Sequence, residues 1–290
     1  MEKSQKIELQ IINAFVDNDK GGNPAGVVLN ADRLSNDQKL EIAKQAGLSE
    51  TAFVSRSDIA EFKLDFFTPI RQIAHCGHAT IATFSYLSQL SLLKESKSSK
   101  ETIDGTREIF IDNSLAFMEQ KSPLYTNVNE EKTLILKSLG LSENDLIKGL
   151  PLLIANTGNA FLLVAVNDAP LKKLVPDFDL IAQISEKYNL IGYYVFNNNV
   201  PGADATTRMF APRYGIKEES ATGMAAGPLA CYLYDYCGVK TDKIIIRQGW
   251  FMEKPSHSLL ICTLEIKDEK IEKLFVGGKG VLSETKAFLI

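Results

Sequence analysis

The chain alternates short apolar runs with polar punctuation and carries no long periodic helix. Residues 9–16 and 26–30 read as strands flanking the turn-rich loop Asp17-Asn-Asp-Lys-Gly-Gly-Asn-Pro24. Ser35 followed by Gln38 makes a capping box, and Gly47 stops the helix it opens. Residues 51–55 predict a short strand, and the alternation Glu61-Phe-Lys-Leu-Asp-Phe-Phe67 predicts another. After Cys76-Gly77, the segment Ala79-Thr-Ile-Ala-Thr-Phe-Ser-Tyr-Leu87 is small and apolar on nearly every side, the pattern of a buried helix. Ala225-Ala-Gly-Pro-Leu-Ala-Cys-Tyr-Leu233 is of the same kind, with Pro228 best accommodated in a first turn. Strands are expected at 160–166 and 193–196, and a helix opened by Asp177 or Asp179. Further helices are expected near 133–139 and 142–147, the latter capped by Ser142 with Asp145. Residues 96–106 read as a solvated loop.

These elements recur. Asn13-Ala14-Phe15 matches Asn159-Ala160-Phe161, Gly77-His78-Ala79 matches Gly223-Met224-Ala225, and Tyr86-Leu87 matches Tyr232-Leu233, all at one offset (223 − 77 = 146). Phe67-Thr-Pro69 and Phe210-Ala-Pro212 precede the two glycines. Matches in one order at half the chain length point to an internal duplication. The expected architecture is α/β (α+β), with two pseudo-symmetric domains that each wrap mixed strands around a central helix. The expected bounds are residues 1–125 and 126–275, with residues 276–290 returning to the first domain.

At 45% apolar and 23% charged residues, the composition is that of an ordinary globular protein. A net charge of −4 and the absence of a basic block, apart from the mixed polar stretch Lys94 to Lys100, argue against nucleic acid as a partner. No apolar run approaches the length of a membrane helix, and no signal peptide is apparent. Four scattered cysteines suggest reduced thiols. The expectation is a cytoplasmic protein without a membrane partner.

Gly77 and Gly223 each open a buried helix, where glycine lets a ligand approach and first-turn N–H groups attract an anion; the same glycines could simply serve packing. His75-Cys76-Gly77-His78 invites a metal reading but lacks a second ligand cluster, so no metal is expected. His78 suits proton transfer near neutrality, or capping of its helix. Glu50, between a helix end and an apolar strand, is a candidate proton-shuttling carboxylate or a surface acid. Glu218 and Glu219 precede the second helix, where an acid also complements the helix dipole.

Asn23-Pro24-Ala25-Gly26, Leu48-Ser-Glu-Thr-Ala-Phe-Val54, Phe67-Thr-Pro69 and Cys76-Gly-His-Ala-Thr80 resemble the PhzF-like (phenazine-biosynthesis-like) isomerase family. Arg208-Met-Phe-Ala-Pro212, Gly215-Ile216, Glu218-Glu-Ser-Ala-Thr-Gly223 and Gln248-Gly249 extend the resemblance through the second half. It implies a diaminopimelate-epimerase-like fold with the active site between two domains, and a homodimer. It also implies Glu50, His78 and Glu219 as catalytic residues, and Asn23, Gly77, Thr222, Gly223 and Met224 as substrate-binding positions. The chain departs from the family pattern at Glu219, where aspartate is usual, and at Met224, where serine is usual. Gln72 stands where an acid is usual, and Glu253-Lys254 replaces Gly-Arg.

The expected function is a cofactor-independent isomerase moving a proton on a small carboxylate, with Glu50 as acid/base. No nucleotide or phosphate loop motif calls for a cofactor. One alternative is a two-base epimerase or racemase using Cys76, for which the second thiol position holds Thr222. The other is a non-catalytic small-molecule binding protein.

Overall fold

The computed structural model describes residues 6–290. The chain divides into two compact units, one reaching to Glu119 and rejoined by Gly277–Ile290, the other Gln120–Val276.

The first unit contains β1 (Lys6–Ala14), β2 (Asn23–Val28), α1 (Asn36–Ala46), β3 (Thr51–Ser55), β4 (Phe62–Phe67), β5 (Gln72–Ile73), α2 (Gly77–Gln89), β6 (Lys97–Thr102), β7 (Gly105–Asp112) and β8 (Leu115–Gln120). The second contains β9 (Leu124–Asn127), α3 (Lys132–Leu139), β10 (Leu153–Asn156), β11 (Ala160–Ala165), α4 (Asp168–Lys172), α5 (Phe178–Lys187), β12 (Gly192–Asn197), β13 (Ala205–Ala211), β14 (Ile216–Glu219), α6 (Gly223–Tyr236), β15 (Lys243–Gln248), β16 (Ser258–Lys267) and the first part of β17 (Lys270–Leu289).

In the first unit β1 pairs antiparallel with β17 and β2, β2 parallel with β3, and β3 antiparallel with β4. β4 then pairs parallel with β6, β6 antiparallel with β7, and β7 antiparallel with β8. The β8–β17 pairing closes this circuit into an eight-stranded barrel. The second unit repeats the sequence of directions. β10–β11 is antiparallel, β11–β12 parallel, β12–β13 antiparallel, β13–β15 parallel and β15–β16 antiparallel. The short strands β5 and β14 occupy the same place beside β4 and β13. The duplication read from a handful of residues is therefore a duplication of strand topology, with α2 and α6 beginning at the matched glycines.

Each sheet is covered on both faces. On β1, Ile7, Leu9 and Ile11 join Ile42, Ala43 and Ala46 of α1 and the edge-to-face pair Phe53 and Phe67, whose centroids are 5.6 Å apart. α2 packs against β1, β2, β3 and β7, buried from Gly77 through Leu87 except at Tyr86. This explains its composition: alanine, glycine, serine and threonine let strands approach. Where Gly280 passes α2, an added Cβ would lie 2.7 Å from Ser85 Cβ, and the Gly280 N–H donates to Ser85 Oγ. The polar members of this buried helix are satisfied locally, Thr80 and Thr83 donating to Cys76 O and Ala79 O. In the second unit α3 and α5 cover the outer face of β11–β13 with Ile135, Leu139, Ile181 and Ile184 against Leu162, Val164, Tyr193 and Val195. Full burial of each such side chain contributes about 1.5–3 kcal/mol.

α1 carries the expected capping box between Ser35 and Gln38, and Gly47 ends it in the left-handed conformation at φ 66°. α5 is opened by Asp177, whose side chain accepts from Leu180 N. Three local expectations are corrected. Residues 96–106 are not a loop but most of the β6–β7 hairpin, with Lys97 opposite Phe110 and Thr102 opposite Gly105. Its inward residues are Ser98, Lys100 and Thr102, so the period of two was present without apolar residues to reveal it. Residues 142–147 form only a 3₁₀ turn, Glu143–Asp145, although the Ser142–Asp145 cap is made. Pro228 lies within α6 rather than in its first turn. Among the described residues no helix is long and apolar enough to cross a membrane.

Candidate active site

In the first unit the parallel pairing of β2 with β3 places Glu50 at the mouth of β3. Its carbonyl accepts from Gly26 N at 3.0 Å. Gly26 is required by this approach, since a Cβ there would stand 2.7 Å from Thr51 Oγ1. Cys76 is the extended N-terminal cap of α2, so the next turn brings His78 beside it. His78 Nε2 lies 3.3 Å from Glu50 Oε2, with side-chain exposures of 5% and 12%. On the other side of the ring, Nδ1 lies 3.6 Å from Cys76 Sγ.

The imidazole thus bridges a thiol and a carboxylate through opposite nitrogens. Burial pushes the Cys76 thiol up, and His78 draws it only partly back. If the thiol is protonated and donates to Nδ1, the ring proton sits on Nε2, the edge nearer Glu50. Glu50, Cys76 and His78 also form a group of three possible metal donors. One donor atom from each lies within 4.8 Å of the others.

Gly77 is the first residue of α2 and is buried. Asn23, also buried, opens β2, the strand beside the one that Glu50 precedes.

In the second unit Glu219, Thr222, Gly223 and Met224 come together on the turn from β14 into α6. Thr222 caps the helix, and its hydroxyl donates to Glu219 Oε2. Thr222 O accepts from the N–H groups of Ala225 and Ala226. Gly223 is fixed by Gln120, which donates to its carbonyl at 2.9 Å. Met224 is half-buried at the helix start. The neighbouring Glu218 is committed elsewhere, held by both Arg208 Nε and Nη2 at 2.8 Å.

Sequence reasoning missed what holds this turn. Gln248 is fully buried, and every polar atom it has is used. Its Oε1 accepts from Tyr194 Oη at 2.8 Å and Thr222 N at 3.0 Å. Its Nε2 donates to Glu219 O at 2.7 Å and Thr222 Oγ1 at 3.0 Å. Gln248-Gly249 stood out as a motif, yet no pattern ties it to a turn 26 residues earlier or to Tyr194. Gly249, at φ 79°, completes the arrangement: a Cβ would meet Ser256 O at 2.0 Å.

The sequence profile of the family described as phenazine biosynthesis-like protein matches residues 12–286. The chain belongs to this family. It is 30% identical over 289 residues to an uncharacterized isomerase, YddE, of Escherichia coli, covering 96% of both chains. It is 30% identical over 281 residues to the trans-2,3-dihydro-3-hydroxyanthranilate isomerase of Pseudomonas chlororaphis, covering 93% of this chain and 95% of the relative. The crystal structure of a Bacillus anthracis phenazine biosynthesis protein of the PhzF family superposes with a TM-score of 0.88 at 26% identity, covering 99% and 100% of the two chains. The expected fold class and family therefore hold, and the protein is an isomerase of PhzF-like type.

Proposed function

We propose that the protein isomerises a small carboxylate substrate by cofactor-independent proton transfer, with Glu50 as the acid/base and His78 as its partner. The observation that carries this reading is the 3.3 Å approach of His78 Nε2 to Glu50 Oε2, both nearly shielded from water. In such surroundings a carboxylate loses competing solvation and can take a proton from carbon activated by a conjugated carboxylate. The Nε2–H then steadies the carboxyl group while the carbanion's charge relocates, and Glu50 returns the proton to a different carbon. Donation by Cys76 to Nδ1 keeps the ring in the tautomer that this requires.

The Pseudomonas chlororaphis relative is named for trans-2,3-dihydro-3-hydroxyanthranilate, which makes that amino carboxylate the first compound to try. Glu219 and Met224, in place of the usual aspartate and serine, motivate testing other unsaturated or amino carboxylates beside it. The two-thiol epimerase reading has only Cys76 in support, because Thr222 at the corresponding position spends its hydroxyl on Glu219.

The test is proton exchange in heavy water. Substrate-dependent deuterium incorporation should accompany isomerisation and fall by at least about 10²-fold in Glu50→Gln, within the range general acid–base catalysis supplies. Full activity in that variant would remove Glu50 as the base. Glu219→Gln in the same assay tests whether the second unit's acid takes part. Binding across the panel without any exchange would favour the non-catalytic reading.

A further inference from the structure

Two lysines are buried among the described residues, and their surroundings differ. Lys39 faces a carboxylate, Asp65 Oδ2, at 2.5 Å. Lys100, with no exposed surface, faces none. Its Nζ donates to Thr80 Oγ1 at 2.6 Å, lies 3.0 Å from His75 Nδ1, and sits 5.1 Å from the centre of the Phe66 ring. The nearby acid Asp104 is engaged by Arg107, the residue opposite Lys100 on β7. Burial above all, with Arg107 adding to it and the Cys76 thiol opposing it, holds the Lys100 ammonium well below the usual lysine range. His75 is lowered in the same way, by burial first and then by Lys100. A buried amine without a counter-charge is a standing cost to stability. Its contacts show what it does in return.

Thr80, in the first turn of α2, donates its hydroxyl to Cys76 O at 2.6 Å, and its N–H points to the same carbonyl at 3.3 Å. Lys100 therefore holds the group that holds the cap of the helix. Cys76 carries the thiol that stands 3.6 Å from His78 Nδ1, and His78 faces Glu50. No proton can travel along this line, because a backbone carbonyl only accepts. The connection acts on position.

We propose that Lys100 is a positioning residue for the candidate site: it holds Thr80, Thr80 holds the carbonyl of Cys76, and the turn so fixed presents the Cys76 thiol to the His78 ring. Its functional meaning rests on the reading of Glu50 and His78 as the reacting pair, but its test needs no substrate.

The test uses the full-length protein with Lys100→Met, Lys100→Gln, Thr80→Val and the Lys100→Met/Thr80→Val double variant. Three quantities are read: the ¹⁵N shifts of the His78 ring, the rate of Cys76 alkylation by iodoacetamide followed on its peptide, and Tm. Lys100→Met should leave Tm unchanged or raised, move the His78 shifts, and change the alkylation rate by about fivefold or more, the worth of one buried hydrogen bond. Lys100→Gln keeps a neutral N–H donor and should return both signals toward the wild type. Thr80→Val should reproduce the effect of Lys100→Met, with no further change in the double variant.

Wild-type His78 shifts and Cys76 reactivity in Lys100→Met would overturn the proposal. So would a loss of Tm with those signals unmoved, which describes a merely structural lysine. If the methionine variant does not fold, unchanged signals in both Lys100→Gln and Thr80→Val overturn it equally. Absence of deuterium exchange in the wild-type enzyme would defeat the proposed reaction and leave this result standing.

Discussion

Replacing Gln248 by leucine should damage the second unit far more than the loss of one polar side chain suggests. The leucine is of similar size and fully buried, so no large cavity opens; what changes is hydrogen bonding. Tyr194 Oη and Thr222 N each lose the Gln248 acceptor, and Glu219 O loses the Gln248 amide. Thr222 Oγ1 keeps its bond to Glu219. Each of the two buried donors left without Gln248 costs about 1–3 kcal/mol, so the pair gives roughly 2–6, and relaxation toward solvent favours the lower half, about 2–4 kcal/mol. That is a large part of the ~5–15 kcal/mol available to a folded domain. Trp250, the chain's one tryptophan, lies two residues away, so its fluorescence in a urea titration reports the affected unit. The midpoint should fall with the slope preserved. A loss below about 1 kcal/mol would refute the argument that the Gln248 hydrogen bonds hold this turn. Gln248→Glu adds a sign check. A carboxylate there would face the acceptors Glu219 O and Thr222 Oγ1, so its folded-state pKa would rise above the ~4.3 of an exposed glutamate. Stability would then be retained below that pH, where the protonated group can donate, and lost as the pH rises through the raised value.

Lys39→Met should cost about 3–5 kcal/mol by chemical denaturation, because it leaves Asp65 buried and unneutralised, while Lys39→Met/Asp65→Leu should recover most of the loss; equal stability of single and double variants would contradict this. Cys76→Ser should retain isomerisation within about tenfold, since a hydroxyl can still donate to His78 Nδ1, whereas the two-thiol epimerase reading demands loss of ~10²-fold or more. Gly249→Ala should lower Tm clearly, by the several degrees that 2 kcal/mol or more brings to a unit of this size, since its φ of 79° and the Ser256 carbonyl leave no room for a Cβ; an unchanged Tm would show that the turn is pliable. The homodimer implied by the resemblance predicts light scattering at twice 32.0 kDa, and a mass of 32.0 kDa at micromolar concentration would dismiss it.

By itself the sequence determined the features that depend on neighbours in the chain or on residue size. The cap at Ser35, the stop at Gly47 and the entry of α5 at Asp177 are local hydrogen-bond chemistry, and each formed as read. The small, apolar run from Ala79 to Leu87 announced a helix packed on all sides, and the recurrence of that run announced a second. Glu50 and His78 were recognisable as reactive types in a motif, but their 3.3 Å approach exists only because β2 and β3 run parallel and α2 packs against both. Tertiary structure alone decided the fate of the polar strand Lys97–Thr102. Its side chains alternate in and out like those of any strand, but the inward ones are serine, lysine and threonine, so hydropathy gave no sign of the period. Lys100 reads as solvated until Thr80, His75 and Phe66 surround it, and Gln248 reads as an ordinary strand residue until three residues from two distant segments meet it. The reason is physical: apolar burial leaves a periodic trace in the chain, whereas a buried polar group is justified only by partners far away in sequence, which no single segment records.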